Sequence, residues 1–257
     1  MFTSVIKTIS RKQSIYTALS AIVLLTTVSP VLAENDTAQI TDKHSFTDCR
    51  NDAQDQKPSY RYQSNEQRVL NCMVDQLKPY QQADKTAQQQ YFAYQAQGWL
   101  NYAIHQDSMN SKSSAGSIAT EMAESILQAL ETDTIQNIAL HQDIPSNSAL
   151  MRPDLWATLN ALKDSDGIAS APREIAFSEV TLIWAATNQC ERGWRESSMH
   201  FRMADRWLEQ AREAYVNAHD SQTNVNLEQL IVRYYKQYAP LDTGDDVCQG
   251  QVLTPVP

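Results

Sequence analysis

The stretch Ile175–Gln189, IAFSEVTLIWAATNQ, decides the fold. Ile175, Ala176, Phe177, Val180, Leu182, Ile183, Trp184, Ala185 and Ala186 spread apolar side chains over most of a helical circumference. Such a helix is buried on several sides by other elements. Its length exceeds that of an ordinary buried strand, and neither Gly nor Pro interrupts it. The stretch therefore predicts the central helix of an all-α domain, ended by Gly193.

Helical patterns continue on both sides. Downstream, Phe201, Ala204, Leu208, Ala211, Tyr215 and Ala218 keep a three–four spacing, with Ser197 or Ser198 placed to cap that helix. Leu227, Leu230, Ile231, Tyr234, Tyr235 and Tyr238 form a further helix before Pro240. Upstream, Pro153 fits a first helical position, and Leu155, Trp156, Leu159 and Leu162 follow until Asp164–Gly167 stops the pattern. A short helix is expected over 134–141. Ile118, Met122, Ile126, Ala129 and Leu130 mark another, ending near Asp133. A long helix is expected from Gln81 to His105, and Asn65 caps one carrying Val69, Cys72, Met73 and Leu77. Six glycines in 257 residues argue against a sandwich, a barrel or a phosphate-binding α/β fold. The expectation is a single all-α domain of about six to eight helices, packed as antiparallel hairpins and disulfide-bonded.

Two hairpins share a pattern. Trp99 is followed by Met122-Ala123 and Leu127, and Trp184 by Met203-Ala204 and Leu208. The loops differ in length, and general helix-pair patterning explains the likeness as well as duplication does.

The N-terminus reads as an export signal over residues 1–33. Lys7, Arg11 and Lys12 precede the apolar run Ile15–Val28, and Val31-Leu32-Ala33 offers a cleavage site after Ala33. Without those three bases the 21 basic residues become 18 against 30 acidic ones, so the net charge moves from −9 to −12. An acidic chain repels phosphates, which disfavours nucleic acid and anionic lipid as partners. Arg202, Arg206, Glu209 and Glu213 read as a solvated helix face. No stable membrane span is expected after cleavage, and the expected destination is the periplasm. Residues 34–63 form a polar arm, 64–239 the helical domain, and 240–257 a coil tail tied by Cys248.

Four cysteines in an exported chain favour disulfides. Of three possible pairings, Cys49–Cys72 and Cys190–Cys248 are favoured: one ties the arm to the first helix, the other ties the tail to the central helix. No histidine stands at ligand spacing to a cysteine, so no metal is expected, and no cofactor motif is found.

Catalytic motifs are also missing. His105-Gln-Asp107 and His141-Gln-Asp143 repeat a His-x-Asp pattern, but both sit at helix ends where these residues are ordinary. A small-molecule or glycan-processing enzyme is the alternative reading, with Glu179 or Glu191 acting beside His105 or His200. It requires two carboxylates about 5–10 Å apart across a cleft lined by tryptophans. Trp194 stands apart from the other tryptophans because it sits in the turn Gly193-Trp194-Arg195. The expectation is that it folds back to close the hairpin; exposed, it would anchor a partner or stack on a sugar.

Several segments together resemble a known family. Ala96-Gln97-Gly98-Trp99-Leu100-Asn101-Tyr102-Ala103, Arg152-Pro153-Asp154-Leu155-Trp156, Glu179-Val180 with Leu182 and Trp184-Ala185, and Gly193-Trp194-Arg195 occur in that order. They look like the helical N-terminal region of exported Gram-negative proteins that carry a C-terminal outer-membrane-protein-A-type peptidoglycan-binding domain. The likeness covers roughly residues 87–215. It implies a helical exported module with no assignable activity. The sequence runs to Pro257 without that domain, so wall binding is not carried over. Trp194, Arg195, Trp99 and Arg152 are the residues nominated for contact. The functional expectation is a non-enzymatic periplasmic module that meets an envelope protein or peptidoglycan; a third reading is an inhibitor of a wall-degrading enzyme acting through the Trp194–Arg195 turn.

Overall fold

The structure, a computed structural model, describes Cys49, residues 64–242 and residues 248–256. The export segment, its cleavage site and the polar arm (Cys49 apart) lie outside the described residues, all of which belong to one unit, Lys43–Pro257. Eight α-helices occur among the described residues: α1 Asn65–Leu77, α2 Ala87–Ser108, α3 Ala115–Glu131, α4 Pro153–Asp164, α5 Gly167–Ser170, α6 Pro172–Arg192, α7 Trp194–Ala218 and α8 Ser221–Tyr238. No strand is present among them; one isolated bridge pairs Ile144 with Gln251. The all-α expectation holds.

The stretch that opened the sequence reading forms most of α6, which packs against α7, α2 and α4. Its residues Ile175, Ala176, Val180, Leu182, Ile183, Ala185 and Ala186 are all buried. Gly98 lets α2 lie close to it: a Cβ there would stand 3.2 Å from the Val180 side chain. The pairs α2–α3 and α6–α7 are the hairpins with the shared pattern. Ala123 and Ala204 are fully buried, with Leu127 and Leu208 beside them in the core. The small residues let the two arms approach, and the leucines fill the space between them.

Helix boundaries follow the capping chemistry. Ser64, one residue before the expected Asn65, accepts from Gln67 N and caps α1. The long helix begins at Ala87 rather than Gln81, because Thr86 and Gln89 form a capping box. Residues 78–81, with Pro79, make a 3-10 turn. The expected short helix at 134–141 is only a 3-10 turn over Ile135–Asn137. Neither Ser197 nor Ser198 caps α7. That helix starts at Trp194 directly after Gly193, whose φ of 91° is open to glycine.

Both expected disulfides form. Cys49–Cys72 brings Cys49 into the core. Cys190–Cys248 returns the tail to the end of α6. The tail then continues past Ile144: Leu253 N donates to Asp143 Oδ1 at 3.1 Å, Val256 N donates to the Tyr234 hydroxyl at 3.3 Å, and Leu253 is buried.

One charged pair sits inside the bundle. Lys163 of α4 and Glu179 of α6 lie 2.6 Å apart with side-chain exposures of 0% and 2%. Glu179 also accepts from Gln95 Nε2 at 2.9 Å and from the Tyr91 hydroxyl. Lys163 Nζ donates a second bond to the Leu140 carbonyl at 2.7 Å. Burial pushes the Lys163 ammonium below its ordinary value, while the Glu179 charge pulls it back up. Burial and the same carboxylate hold the Tyr91 hydroxyl well above its ordinary value, so it serves as a donor. The network joins α2, α4 and α6 with its partners in place.

Two stability experiments follow from this packing. Glu179→Gln leaves a buried ammonium without its counter-charge and is expected to cost about 3–5 kcal/mol in urea unfolding, with the double change Lys163→Met, Glu179→Leu recovering only part of that loss, because the Tyr91 hydroxyl and the Leu140 carbonyl then lose the partners they have here. Replacing Cys190 and Cys248 by Ala releases a cross-link across 58 positions and is expected to cost about 4 kcal/mol by loop entropy.

Candidate functional site: the α6–α7 hairpin tip

The end of α6 is tied down on three sides. The disulfide at Cys190 holds the tail, Ser113 Oγ donates to Glu191 Oε1, and Arg192 Nη2 donates to Gln106 Oε1 at 3.3 Å and Ser111 Oγ at 3.2 Å. Gly193 N donates to the Asn188 and Gln189 carbonyls at 3.1 Å each and closes the helix. On the α7 side, the buried Ser197 hydroxyl donates to Gln189 Oε1 at 2.6 Å, with the Trp194 carbonyl 3.0 Å away. The turn is thus braced by its backbone, by polar side chains and by a covalent link.

Trp194 stands out from this braced turn. Its residue surface is 69% exposed, and Arg195 beside it is exposed too. The expectation that Trp194 folds back over the hairpin is overturned. Gly193 starts α7 at once, and among the described residues the first residue of that helix is left uncovered. Met199 and Met203 are also exposed on α7, at 56% and 43%, but on other faces of the helix from Trp194. An exposed indole held on a braced turn offers a large, pre-placed contact surface to a partner.

The other nominated residues divide. Trp99 is 1% exposed in the core, so it is unavailable to a partner and its nomination is corrected. Its position on α2, one residue from the close approach at Gly98, accounts for that burial. Arg152 precedes α4 with φ 59° and spends its guanidinium on Asp154, 2.7 Å away; it is half-buried and distinct from the tip.

The two carboxylates nominated for catalysis, Glu179 and Glu191, do not come together. Glu179 is sealed in its ion pair, whereas Glu191 is exposed and bonded to Ser113. Both lie on α6, twelve positions apart, which is about 18 Å along a helix. That is too far for a carboxylate pair working across one bond. His141 bonds Asp164 at 2.7 Å rather than Asp143, which instead holds the tail, and Asp107 accepts from Ser64 at 2.8 Å. All four cysteines are in disulfides, which takes their sulfurs out of metal chemistry.

His105 and His200 pack around Trp184. The His200 ring lies 4.4 Å from the indole and the His105 ring 5.1 Å, with Tyr102 stacked at 4.6 Å. His200 Nδ1 donates to the Glu196 carbonyl at 3.2 Å. Burial lowers both imidazoles below their ordinary value; the Arg192 charge adds to this at His105, and His105 itself adds to it at His200. The cluster works as neutral packing that fastens α2 to α7 below the tip.

Compared with known proteins, the chain matches no family model, no curated protein and no solved structure. The site rests on its own geometry.

The histidine cluster sets a pH dependence. The unfolded chain takes up protons near pH 6.5 that the folded imidazoles resist, so stability is held above that value and lost as pH falls below it. Thermal midpoints measured from pH 7.5 to pH 5 are expected to fall, and to fall less in a His105→Asn, His200→Asn double variant.

Proposed function

We propose that the protein is an exported, non-enzymatic helical module that binds another component of a Gram-negative cell envelope through the α6–α7 tip, with an envelope protein as the partner. The exposed Trp194 carries the reading. Trp and Arg are the residues that most often dominate protein interfaces. A rigid anchor also loses little conformational entropy on binding. The two disulfides support an oxidising compartment, and the segment 1–33 supports export into it. The resemblance to exported helical modules points the same way. No helix among the described residues is long and apolar enough to cross a membrane. Inhibition of a wall-degrading enzyme is a special case of this reading, in which Trp194 and Arg195 enter the enzyme's cleft.

A photo-crosslinking residue placed at position 194 tests it in cells. A discrete protein adduct is expected from that position, lost on Arg195→Glu and not formed from a probe at the exposed Gln229 of α8. The same adducts from both positions, or none from 194, contradict it; recovery with insoluble peptidoglycan in place of a protein adduct moves the partner to the wall.

A further inference from the structure

We propose that the outer face of α7 is a self-association surface, on which a second copy of this chain packs its own α7 antiparallel. Four charged residues carry it: Arg202, Arg206, Glu209 and Glu213, all exposed. At about 100° per residue they fall within an arc of about 60°. That arc is on the side of the helix turned away from buried Ala204, Leu208 and Ala211. Met199 and Met203, both exposed, border it on one side.

The row is solvated, as its pattern suggests, but its charges stay unpaired. Among the described residues none of the four has an ion pair or a side-chain hydrogen bond. The other described arginines, Arg195 at the tip apart, all have partners. Arg68 meets Asn65, Arg152 Asp154, Arg173 Glu174, Arg192 Gln106 and Arg212 Glu228, and Arg233 is engaged as well. Asp205, three positions after Arg202, instead adds its charge to the surroundings of the Arg152 guanidinium. Arg202 and Arg206 stand four positions apart, as do Glu209 and Glu213, and like charges at that helical spacing repel. The face thus carries two positive charges followed by two negative ones, and the chain itself neutralises none of them.

That order selects the occupant. A partner of one sign, such as a phosphate surface or a polycation, is attracted by one half of the row and repelled by the other. The complement is a row that changes sign in the opposite direction. A second α7 running antiparallel supplies it, with Arg202 opposite Glu213 and Arg206 opposite Glu209, and the two-fold axis repeats both pairs. Parallel alignment sets arginine against arginine. The antiparallel arrangement also opposes the two helix dipoles. Met199 and Met203 then lie along the rim of the pair, where their flexible thioethers fill space beside the charged row. A single helix pair lies at the small end of interface sizes, so weak, reversible association is expected. Trp194 lies about two turns before Arg202 and outside the row, so this surface does not rest on the reading of the tip.

Sedimentation equilibrium of the oxidised chain from about 1 µM to 1 mM tests the surface. A reversible monomer–dimer equilibrium is expected, with no larger species, because the contact closes on itself. Arg202→Glu with Arg206→Glu makes the row acidic throughout, and Glu209→Arg with Glu213→Arg makes it basic throughout. Each variant alone is expected to associate at least about tenfold more weakly. An equal mixture of the two is expected to dimerise as the unaltered chain does, since every pair is again of opposite sign. A chain that stays monomeric over the whole range, a series of ever larger species, an unchanged dimer in either variant, or a mixture that stays monomeric overturns the proposal. Thermal midpoints check that each variant keeps its fold. If one does not, the single changes Arg206→Glu and Glu209→Arg, alone and mixed, give the same comparison. Both double variants are expected to keep the adduct from position 194, so failure of one surface is told apart from failure of the other.

Discussion

The ion pair between Glu179 and Lys163 is the interaction on which the bundle depends. A carboxylate and an ammonium are both withdrawn from water here, and each is tolerated only because the other is present. Tyr91, Gln95 and the Leu140 carbonyl complete the hydrogen bonding. The partners come from α2, from α4, from α6 and from the chain before α4. A purely apolar core admits several neighbouring registers of its helices. This one penalises any register that separates the charges, which fixes how α2 and α4 sit on α6. Everything at the far end of α6, including the turn at Gly193, inherits that placement.

From this frame the molecule divides into a sealed interior and an exposed tip. The interior accounts for Trp99, Trp156, Tyr91, Tyr102, Tyr215, Tyr234 and Tyr238, which are fully buried. The tip holds an indole in water by a braced backbone, and Arg192 ties that turn to α2 and the loop after it through Gln106 and Ser111.

Much of the fold was legible because the dominant signals were local. An all-round apolar run gave α6, helix-spaced apolar residues gave its companions, and the compartment argument led to both disulfides. Boundaries slipped where a cap competed with periodicity, as at Thr86–Gln89, where the polar glutamines before it read equally well as helix. The site was less legible. Glu179 was visible as a lone acid in an apolar run, and Lys163 lies four residues after Leu159 and seven after Trp156, on the buried face of its helix. Their pairing, sixteen positions apart across two helices, is set by tertiary packing. Trp194 was singled out by its place in a turn, but its exposure depends on what lies over the start of α7, which no local pattern records.

The central claim is that the surface used in binding is the Trp194 tip, with the remaining tryptophans serving the fold. Fluorine NMR of the oxidised chain carrying 5-fluorotryptophan tests it most directly, because each of the five tryptophans gives its own resonance. The resonance removed by Trp194→Phe should show the largest solvent shift between H2O and D2O, and should broaden first when a solubilised Gram-negative envelope fraction is added. A Trp194 resonance that is shielded in the free protein, or that stays sharp while that of Trp99 or Trp156 broadens, contradicts the account.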